Sequence, residues 1–236
     1  MPSRSWFKII YHVPRRYDQF CALARSLDVV GERWTLLLVR ELLLGPKRFT
    51  ELLRALPGIG RNLLAARLRE LEEAGVVEHG GQSYGLTERG RALEDPVLAL
   101  TRWQLTAMAP PGPEDERRAG WYALAMWAAF RPERAPSGDE AYEFRVDGEP
   151  FHLEVANGHP RARHGSHPAP AVVLSAGLDT FLLIAIGALT PGDAEAGGRA
   201  QVEGSRAALR RALRAFGLPA PVPAAPAARL TAPSRA

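Results

Sequence analysis

Cysteine is nearly absent from this chain, which has 236 residues and a single copy at Cys21. One cysteine cannot close an intrachain disulfide or build a cysteine-based zinc site. Long apolar runs are absent too, since no stretch approaches the roughly 18–20 uninterrupted apolar residues of a membrane helix. The first residues also lack a long apolar segment and the small-residue cleavage site of a signal peptide. We therefore expect a cytoplasmic protein that does not associate with membranes.

Motifs of catalysis are also missing. The sequence contains no Gly-rich phosphate loop or metalloprotease motif. His159, His164 and His167 share a Pro- and Gly-rich stretch that we predict to be a solvated loop, because no neighbouring carboxylate or cysteine supports a metal site there. We expect neither an enzyme nor a bound cofactor or metal.

Positive charge is concentrated in the first half of the chain. The net charge is +4, and residues 1–108 carry 16 Lys and Arg against 12 Asp and Glu, whereas residues 109–236 carry 14 of each. Lysine is rare, with two copies against 28 arginines, a bias typical of GC-rich bacterial genomes. A basic patch on a near-neutral protein indicates a polyanionic partner, although charge by itself would favour an ordinary solvated surface. The patch consists of Lys47, Arg48, Arg54, Arg61, Arg67 and Arg69, opposed by Glu51.

Composition and periodicity divide the chain into two domains of an α+β protein. Residues 15–108 are rich in helical patterns, and residues 117–218 contain both strand and helix patterns. Residues 109–116 form a linker rich in Pro, Gly and acidic residues. Residues 219–236 form a Pro- and Ala-rich tail that we predict to be disordered.

Four helical patterns follow one another in the first domain, over residues 17–30, 34–44, 50–56 and 61–74. The second is apolar nearly all round, which predicts a buried central helix. The third and fourth are joined by the short turn LPGIG. Two short helices with a glycine-containing turn are typical of a helix-turn-helix.

The fourth helix has two different faces. At about 100° per residue, Leu64, Leu68 and Leu71 fall on one side, which predicts a core face. The opposite side carries polar groups that contact base edges and small alanines that allow close approach to a DNA groove. For this helix taken alone, an amphipathic surface helix without DNA contacts is the alternative. The candidate DNA-binding residues on and before the helix are Lys47, Arg48, Thr50, Arg61, Asn62, Ala65, Ala66 and Arg69.

A predicted hairpin follows directly in VVEHGGQSYGLTERG. Val76 and Val77 begin its first strand, the glycines after His79 form its tip, and Thr87 is a predicted cap of the next helix. A hairpin directly after such a helix is a wing, which contacts phosphate or the minor groove. Its candidate DNA-binding residues are His79, Gln82 and Ser83.

These motifs together resemble the HxlR family of bacterial regulators, a winged-helix group related to the MarR type. The resemblance covers about residues 17–108 and is carried by Cys21 with LDVVGERWTLLLVREL, GPKRFTELLRALPGIG, LRELEEAGVVE and YGLTERGRAL. It implies a homodimer that binds double-stranded DNA, with helices at residues 17–30 and 88–108 forming the interface. Gly60 and Ala65 stand where family members often carry hydroxyl residues, which removes a helix cap and a hydrogen-bonding group.

The second domain shows the order helix, β-hairpin, strand, helix, strand, helix. RRAGWYALAMWAAF predicts the first helix, and AYEFRVDGEPFHLEVANG predicts a hairpin that turns at Asp147-Gly148. PAVVLSA is a further strand and LDTFLLIAIGAL an apolar helix. RAQVEG and SRAALRRALRAFGL, with Ser205 as the predicted cap, complete the domain.

This order of elements resembles that of sterol-carrier-protein-like domains over about residues 117–218. The segments that carry the resemblance are FRVDGEPFHLEVANG, LDTFLLIAIG and RAQVEGSRAALRRALRAFGL. The resemblance implies a cavity for an apolar small molecule between the sheet and its helices. Ordinary core packing is the alternative for each aromatic residue. The candidate ligand-binding residues are Trp121, Trp127, Phe144, Phe151, Leu153, Phe181, Leu182 and Ile186.

Cys21 lies early in the first predicted helix, near Arg15, Arg16 and Arg25. Positive neighbours and a helix N-terminus favour the thiolate. The resemblance points the same way, since some relatives sense oxidants through a cysteine near this place. The alternative, which we favour, is a small buried apolar residue.

We therefore predict a homodimeric DNA-binding transcriptional regulator whose second domain binds an apolar small-molecule effector. A redox-responsive regulator acting through Cys21 is one alternative. A lipid carrier whose first domain serves only for dimerisation is another, and the uneven charge disfavours it because a carrier needs no basic helix face.

Overall fold

The computed structural model describes residues 16–109, 111–112 and 114–219. The predictions for residue 15, for linker positions 110 and 113 and for the tail from residue 220 onward lie outside the described residues.

The first half of the chain contains short helices and a small sheet in the order of a winged helix-turn-helix. Three short strands, β1 Lys47–Arg48, β2 Val77–Gly80 and β3 Ser83–Leu86, pair antiparallel in the order β1-β3-β2. The helices are α1 Ala22–Val30, α2 Thr35–Leu43, α3 Phe49–Ala55, α4 Arg61–Glu73, α5 Glu88–Arg91 and α6 Glu94–Leu105.

The centre of this half is α2, as its apolar pattern predicts, with Leu38, Val39 and Leu42 buried. After α4, Gly75 adopts a φ of 67°, a conformation that a residue with a side chain rarely takes. The turn lets the Val76 N–H donate to the Leu71 carbonyl at 2.8 Å and brings the chain into β2.

Thr87 caps α5, which confirms that prediction. Its hydroxyl oxygen accepts a hydrogen bond from the Gly90 N–H at 3.0 Å and donates to the Gly75 carbonyl at 2.6 Å. One side chain therefore ties the end of the β2–β3 hairpin to the end of α4.

The second half is a five-stranded sheet in the order β6-β5-β4-β7-β8. Neighbouring strands are antiparallel except β4 and β7, and helices α7 and α10 pack against the sheet. The strands are β4 Glu140–Val146, β5 Glu149–Ala156, β6 His159–His164, β7 Val172–Ala176 and β8 Ala200–Gly204. The helices are α7 Ala119–Ala128, α8 Leu178–Ala185, α9 Pro191–Ala196 and α10 Arg206–Phe216, with a 3-10 turn at Pro132–Arg134.

Two turn and cap predictions in this half are confirmed. Asp147 and Gly148 have φ of 50° and 81°, as a two-residue hairpin turn requires, and the Ser205 hydroxyl accepts from the Ala208 N–H at 3.2 Å.

The prediction of a loop at His159–His164 is wrong, because these residues form β6 beside β5. The dipeptide Asn157-Gly158, with φ of 51° and 78°, makes a second hairpin turn of the same kind. The three histidines do not converge, since His159 and His164 lie at opposite ends of β6 and the backbone N–H of His167 donates to Glu143 at 2.9 Å. Within the described ranges, no group of three or more potential metal ligands occurs.

The structure also differs from the predicted helices in three places. The first helix begins at Ala22 and not at residue 17, and α9 had not been predicted. The helix predicted for residues 88–108 is two helices, α5 and α6. Pro96 has no N–H to donate to the carbonyl of Ala92, so a continuous helix would lack a backbone hydrogen bond there.

The eight candidate ligand-binding residues fall into two groups. Phe144, Phe151 and Phe181 pack on one another, with ring centroids 5.2 to 5.9 Å apart, and Leu153 and Trp127 are buried as well. All five are core residues, and the three phenylalanine rings fill the space between the sheet and α8, as expected for close-packed interiors. The other three, Trp121, Leu182 and Ile186, are half-buried.

The buried apolar residues of both halves form one contiguous core. The halves also share a backbone hydrogen bond, from the His164 N–H to the Leu44 carbonyl at 3.0 Å. Gly120 in α7 permits this packing, because a Cβ there would lie 2.1 Å from the His164 ring. Among the described residues, no helix has the length and apolarity needed to cross a membrane.

We expect Gly90→Ala to lower the free energy of unfolding by about 1–3 kcal/mol, the usual cost of overpacking a filled site. A Cβ at Gly90 would lie 2.0 Å from the Val76 carbonyl oxygen, so the hairpin would have to move away from α5. Urea unfolding followed by circular dichroism measures the change. Gly80→Ala is the matched control, since a Cβ there would meet no described atom within 4 Å; equal stability of the two variants would contradict the packing argument.

Candidate nucleic-acid interface

Helix α4 presents two faces, as its sequence pattern predicts. Leu64, Leu68 and Leu71 are buried in the core. The outward face carries the exposed side chains of Arg61, Asn62 and Arg69, with the half-buried Ala65 and Ala66 between them. A helix with small residues at its centre and long polar residues at its ends can approach a major groove closely.

Arg67 does not belong to this outward face, although the sequence counts it in the basic patch. Its side chain is buried, and its guanidinium pairs with Glu32, at 2.9 Å, and with Glu70. Two carboxylates neutralise this cation, so it adds little to the field outside the protein. The exposed members of the patch are Arg48, Arg54, Arg61 and Arg69.

Lys47 also points away from solvent. Its side chain is 12% exposed, and its ammonium donates to the Glu41 backbone carbonyl at 2.7 Å and lies 3.5 Å from the Glu41 carboxylate. The neighbouring Arg48 is exposed, and its backbone N–H donates to the Glu51 carboxylate at 2.6 Å. Thr50 is exposed in the first turn of α3.

The wing consists of β2 and β3, and β1 extends it to three strands. Arg48 pairs with Ser83, which pairs with Gly80 near the wing tip. His79 is exposed and stacks on Tyr84, with ring centroids 4.4 Å apart. The turn between the strands contains Gly81, with a φ of 61°, and the exposed Gln82. The register therefore places an arginine beside the tip of the wing.

Behind this surface, at the junction of the two halves, lies the carboxylate of Glu41. It is 2% exposed and accepts hydrogen bonds from Arg40, at 2.8 and 3.0 Å, and from the Trp121 indole N–H at 3.1 Å. The His164 Nε2 lies 3.8 Å from its other oxygen, on the side where Lys47 approaches. Arg40 also stacks over the Trp121 ring at 4.6 Å.

Burial alone would raise the pKa of Glu41. The contact with His164 and the charges of Arg40 and Lys47 outweigh burial and lower the pKa from its ordinary 4.5 to about 2. Our sequence analysis missed Glu41 as a junction residue. The signal was present, because Arg40 and Glu41 are the charged residues of the apolar stretch WTLLLVRELLL, and charges in such a helix need partners.

Cys21 is exposed at the start of α1, so the prediction of a buried apolar residue is wrong. Several large apolar side chains of α1 and α6 are exposed as well, whereas Val97 and Leu98 of α6 are buried. Leu23 is 68% exposed and Trp103 is 72% exposed. The other large apolar residues exposed on or beside these two helices are Tyr17, Phe20, Leu27, Leu100 and Met108.

A helix-turn-helix followed by a two-stranded wing, to which β1 adds a third strand, places this protein in the class of winged helix-turn-helix DNA-binding proteins. Comparison with known families narrows the class, because residues 29–110 match the HxlR-like helix-turn-helix family. The chain belongs to this family through that region.

Relatives match about a third of the chain. The HTH-type regulator YybR of Bacillus subtilis is 38% identical over 90 residues, which are 35% of this chain and 72% of that protein. An HTH-type regulator of Mycobacterium bovis is 43% identical over 89 residues, 35% of this chain and 56% of that relative's length. The chain therefore spans little more than half of the mycobacterial protein.

Solved structures match a similar share of the chain. Quinone-bound YodB from B. subtilis is 36% identical, with a TM-score of 0.34, over 35% of this chain and 93% of that one. The redox regulator HypR in its reduced form is also 36% identical, with a TM-score of 0.34, over 36% of this chain and 92% of that one.

We expect acid to lower the free energy of unfolding, because it protonates Glu41. Because its pKa is lowered on folding, its contribution to stability is complete above about pH 4.5 and is lost as the pH falls toward 2. The shift corresponds to about 3 kcal/mol at most. Urea unfolding between pH 2 and pH 6 measures this loss.

Glu41→Gln should be less stable near neutral pH, since Arg40 and Lys47 lose their buried counter-charge, and should lack this part of the pH dependence. Glu73→Gln, at an exposed position of α4, should keep the wild-type profile. An unchanged profile in Glu41→Gln would show that other groups cause the acid sensitivity.

Proposed function

We propose that this protein is a homodimeric transcriptional regulator that binds duplex DNA through α4 and the wing. The observation that carries the proposal is the outward face of α4, where Arg61, Asn62 and Arg69 stand exposed within a winged helix-turn-helix of the HxlR-like family. Bacterial DNA lies in the cytoplasm, and we propose that the protein acts there.

We expect the residues of α4 to contact bases and the residues around α4 to contact the sugar-phosphate backbone. In the major groove, an asparagine such as Asn62 pairs with adenine, and an arginine such as Arg69 pairs with the O6 and N7 of guanine. The half-buried Ala65 and Ala66 let the backbone come close to the bases. Arg61, at the first position of α4, reaches a base edge or a phosphate.

Around α4, the exposed groups of the wing and of α3 suit the sugar-phosphate backbone. They are Arg48, Thr50, His79, Gln82 and the half-buried Ser83. Phosphate contacts of this kind position a protein on DNA without reading its sequence. We leave Lys47 out of this set, because its ammonium is held by Glu41.

Dimerisation is proposed from the exposed apolar surface of α1 and α6. Apolar side chains as large as Trp103 and Leu23 seldom stand exposed together on a monomer unless they meet a partner. A symmetric pair that buries these helices would present two copies of α4, so the operator should be a pseudo-palindrome with half-sites about one helical turn apart.

For the second half we propose a sterol-carrier-like domain that binds an apolar small molecule and thereby alters operator affinity. In support, the predicted helices and strands follow one another in the expected order, with β6 and α9 as additional elements, and α7 and α10 pack against the sheet. The domain is joined to α6 and to Glu41, so a change in it would reach the DNA-binding half.

Selection of duplexes from a random library, followed by titration of the enriched operator, tests this function. We expect Asn62→Ala and Arg69→Ala each to cost about 1–3 kcal/mol in operator binding and to relax base preference, since each removes a base contact. Arg48→Ala should lower the affinity for all DNA sequences alike. It should also reduce the steepness with which the logarithm of the binding constant falls with the logarithm of salt concentration, by about 0.9. Sedimentation of the complex should show two protomers per operator.

Arg210→Ala is the matched control, because Arg210 is an exposed arginine on α10 in the other half. It should leave affinity, base preference and salt slope unchanged. If wild-type protein enriches no duplex at low salt, the proposed function is wrong, and the lipid-carrier alternative becomes the better account. If Asn62→Ala and Arg69→Ala both behave like the control, α4 does not read the bases.

A second candidate is a redox-responsive regulator acting through Cys21, and the exposure of Cys21 beside the proposed dimer surface favours it. Two Cys21 thiols, one from each protomer, would lose two protons and two electrons to an oxidant and form one disulfide. With diamide as oxidant, this candidate expects a covalent dimer on non-reducing gels, altered operator binding and reversal by dithiothreitol. Cys21→Ser should show none of these changes, and wild-type protein that keeps its affinity in diamide would exclude the candidate.

A further inference from the structure

An apolar cleft lies where the end of α6 meets α7 and α8. Its volume is about 400 Å³, within the range of small-molecule sites. Residues from both halves of the protein form its walls, and those used below are Leu105, Met108, Trp121, Tyr122, Leu182 and Ile186.

The position of this cleft differs from the one expected from the sequence. Between the sheet and α8, the rings of Phe144, Phe151 and Phe181 occupy the interior. The three candidate ligand-binding residues that are half-buried, Trp121, Leu182 and Ile186, instead line the cleft on the outer side of α8.

The chemistry of the cleft selects an uncharged ligand. Its walls are mainly carbon, from Leu105, Leu182, Ile186 and the two aromatic rings. At the rim, Arg117 pairs with Asp179 at 2.5 Å, so this cation is already neutralised. Asp115 and Glu116 also stand at the rim and disfavour an anion.

The Tyr122 hydroxyl is available to form a hydrogen bond with a ligand in the cleft. Among the described residues, the Tyr122 hydroxyl has no hydrogen-bond partner, while the Tyr122 ring packs edge-on against Phe181 at 6.1 Å. A ligand hydroxyl, carbonyl or amine could therefore pair with the phenol while its apolar body contacts the walls.

We propose that this cleft binds an uncharged aromatic or polycyclic molecule with one hydrogen-bonding group, and that it is the effector site of the protein. The regulatory part rests on the proposed function. Leu105 and Met108 belong to the end of α6 and its exit, the helix proposed to join protomers, so a bound molecule would contact a dimer helix directly. Trp121 joins the cleft to Glu41 through its indole N–H at 3.1 Å.

The site is tested with N-phenyl-1-naphthylamine, an uncharged probe that fluoresces in apolar surroundings, added to the full-length protein. Leu182→Trp and Ala125→Phe put larger side chains on two different walls of the cleft. Leu183→Trp is the matched control, since Leu183 is the next residue of α8 but is exposed outside the cleft. Thermal unfolding by circular dichroism verifies that each variant is folded.

We expect saturable binding of one probe per chain. It should be at least tenfold weaker in each cleft variant that folds and changed by less than twofold in Leu183→Trp. Absence of saturable binding in the wild type would overturn the proposal, as would equal affinity in all the folded proteins, because the probe would then lie elsewhere, for example on α1 and α6.

The same proteins, titrated with the selected operator with and without the probe, separate the site from its regulatory role. A probe-dependent change in affinity of several-fold to a hundredfold, lost in Leu182→Trp but kept in Leu183→Trp, supports the effector role. Probe binding in the cleft without any change in operator affinity overturns that role. If the probe binds in the cleft but the protein selects no duplex DNA, the proposed function is refuted, whereas the proposal of a binding site in the cleft is supported.

Discussion

The carboxylate of Glu41 is 2% exposed, and a charge removed from water is stable only where other groups replace its hydration. Arg40 and Lys47 supply the counter-charge from the first half, and Trp121 and His164 approach from the second. Separation of the halves would expose this carboxylate to water and remove two of its four partners, Trp121 and His164. This interaction holds β1, and with it the wing, in a defined position relative to α7 and β6.

The same requirement explains why the basic residues near α4 are not equivalent. Arg67 and Arg69 are two positions apart, about 200° around the helix, so one faces inward and the other outward. The inward arginine pairs with Glu32 and Glu70, and it joins α4 to the turn before α2. The outward arginine remains available to a partner. The number of basic residues in the patch therefore overstates the positive field that DNA would meet.

The junction between the halves also determines where an apolar pocket can exist. Aromatic rings fill the interior of the second half, and such cores leave few voids. Space remains where α6 of the first half meets α7 and α8 of the second. A ligand there contacts α6, α7 and α8 together, whereas a ligand inside the sheet would contact the second half alone.

Much of the fold was predictable from local signals. The faces of α4, the Thr87 and Ser205 caps and the Asp147-Gly148 turn follow from spacing and from side chains that satisfy nearby backbone groups. The failures were local too. The dipeptide Asn157-Gly158 is a hairpin-turn signal, but the stretch that contains it was predicted to be a loop. Pro96 lies near the break between α5 and α6, where a single helix was predicted.

By itself, the sequence determined the helix-turn-helix and its wing, because periodicity and turn chemistry act over a few neighbouring residues. Only the tertiary structure decided which of the predicted side chains face outward. Lys47 turned inward because Glu41 lies six residues earlier in α2, and the cleft formed from Leu105, Trp121 and Leu182, which are far apart in the chain. Burial and pairing depend on distances between segments, and no local pattern encodes those distances.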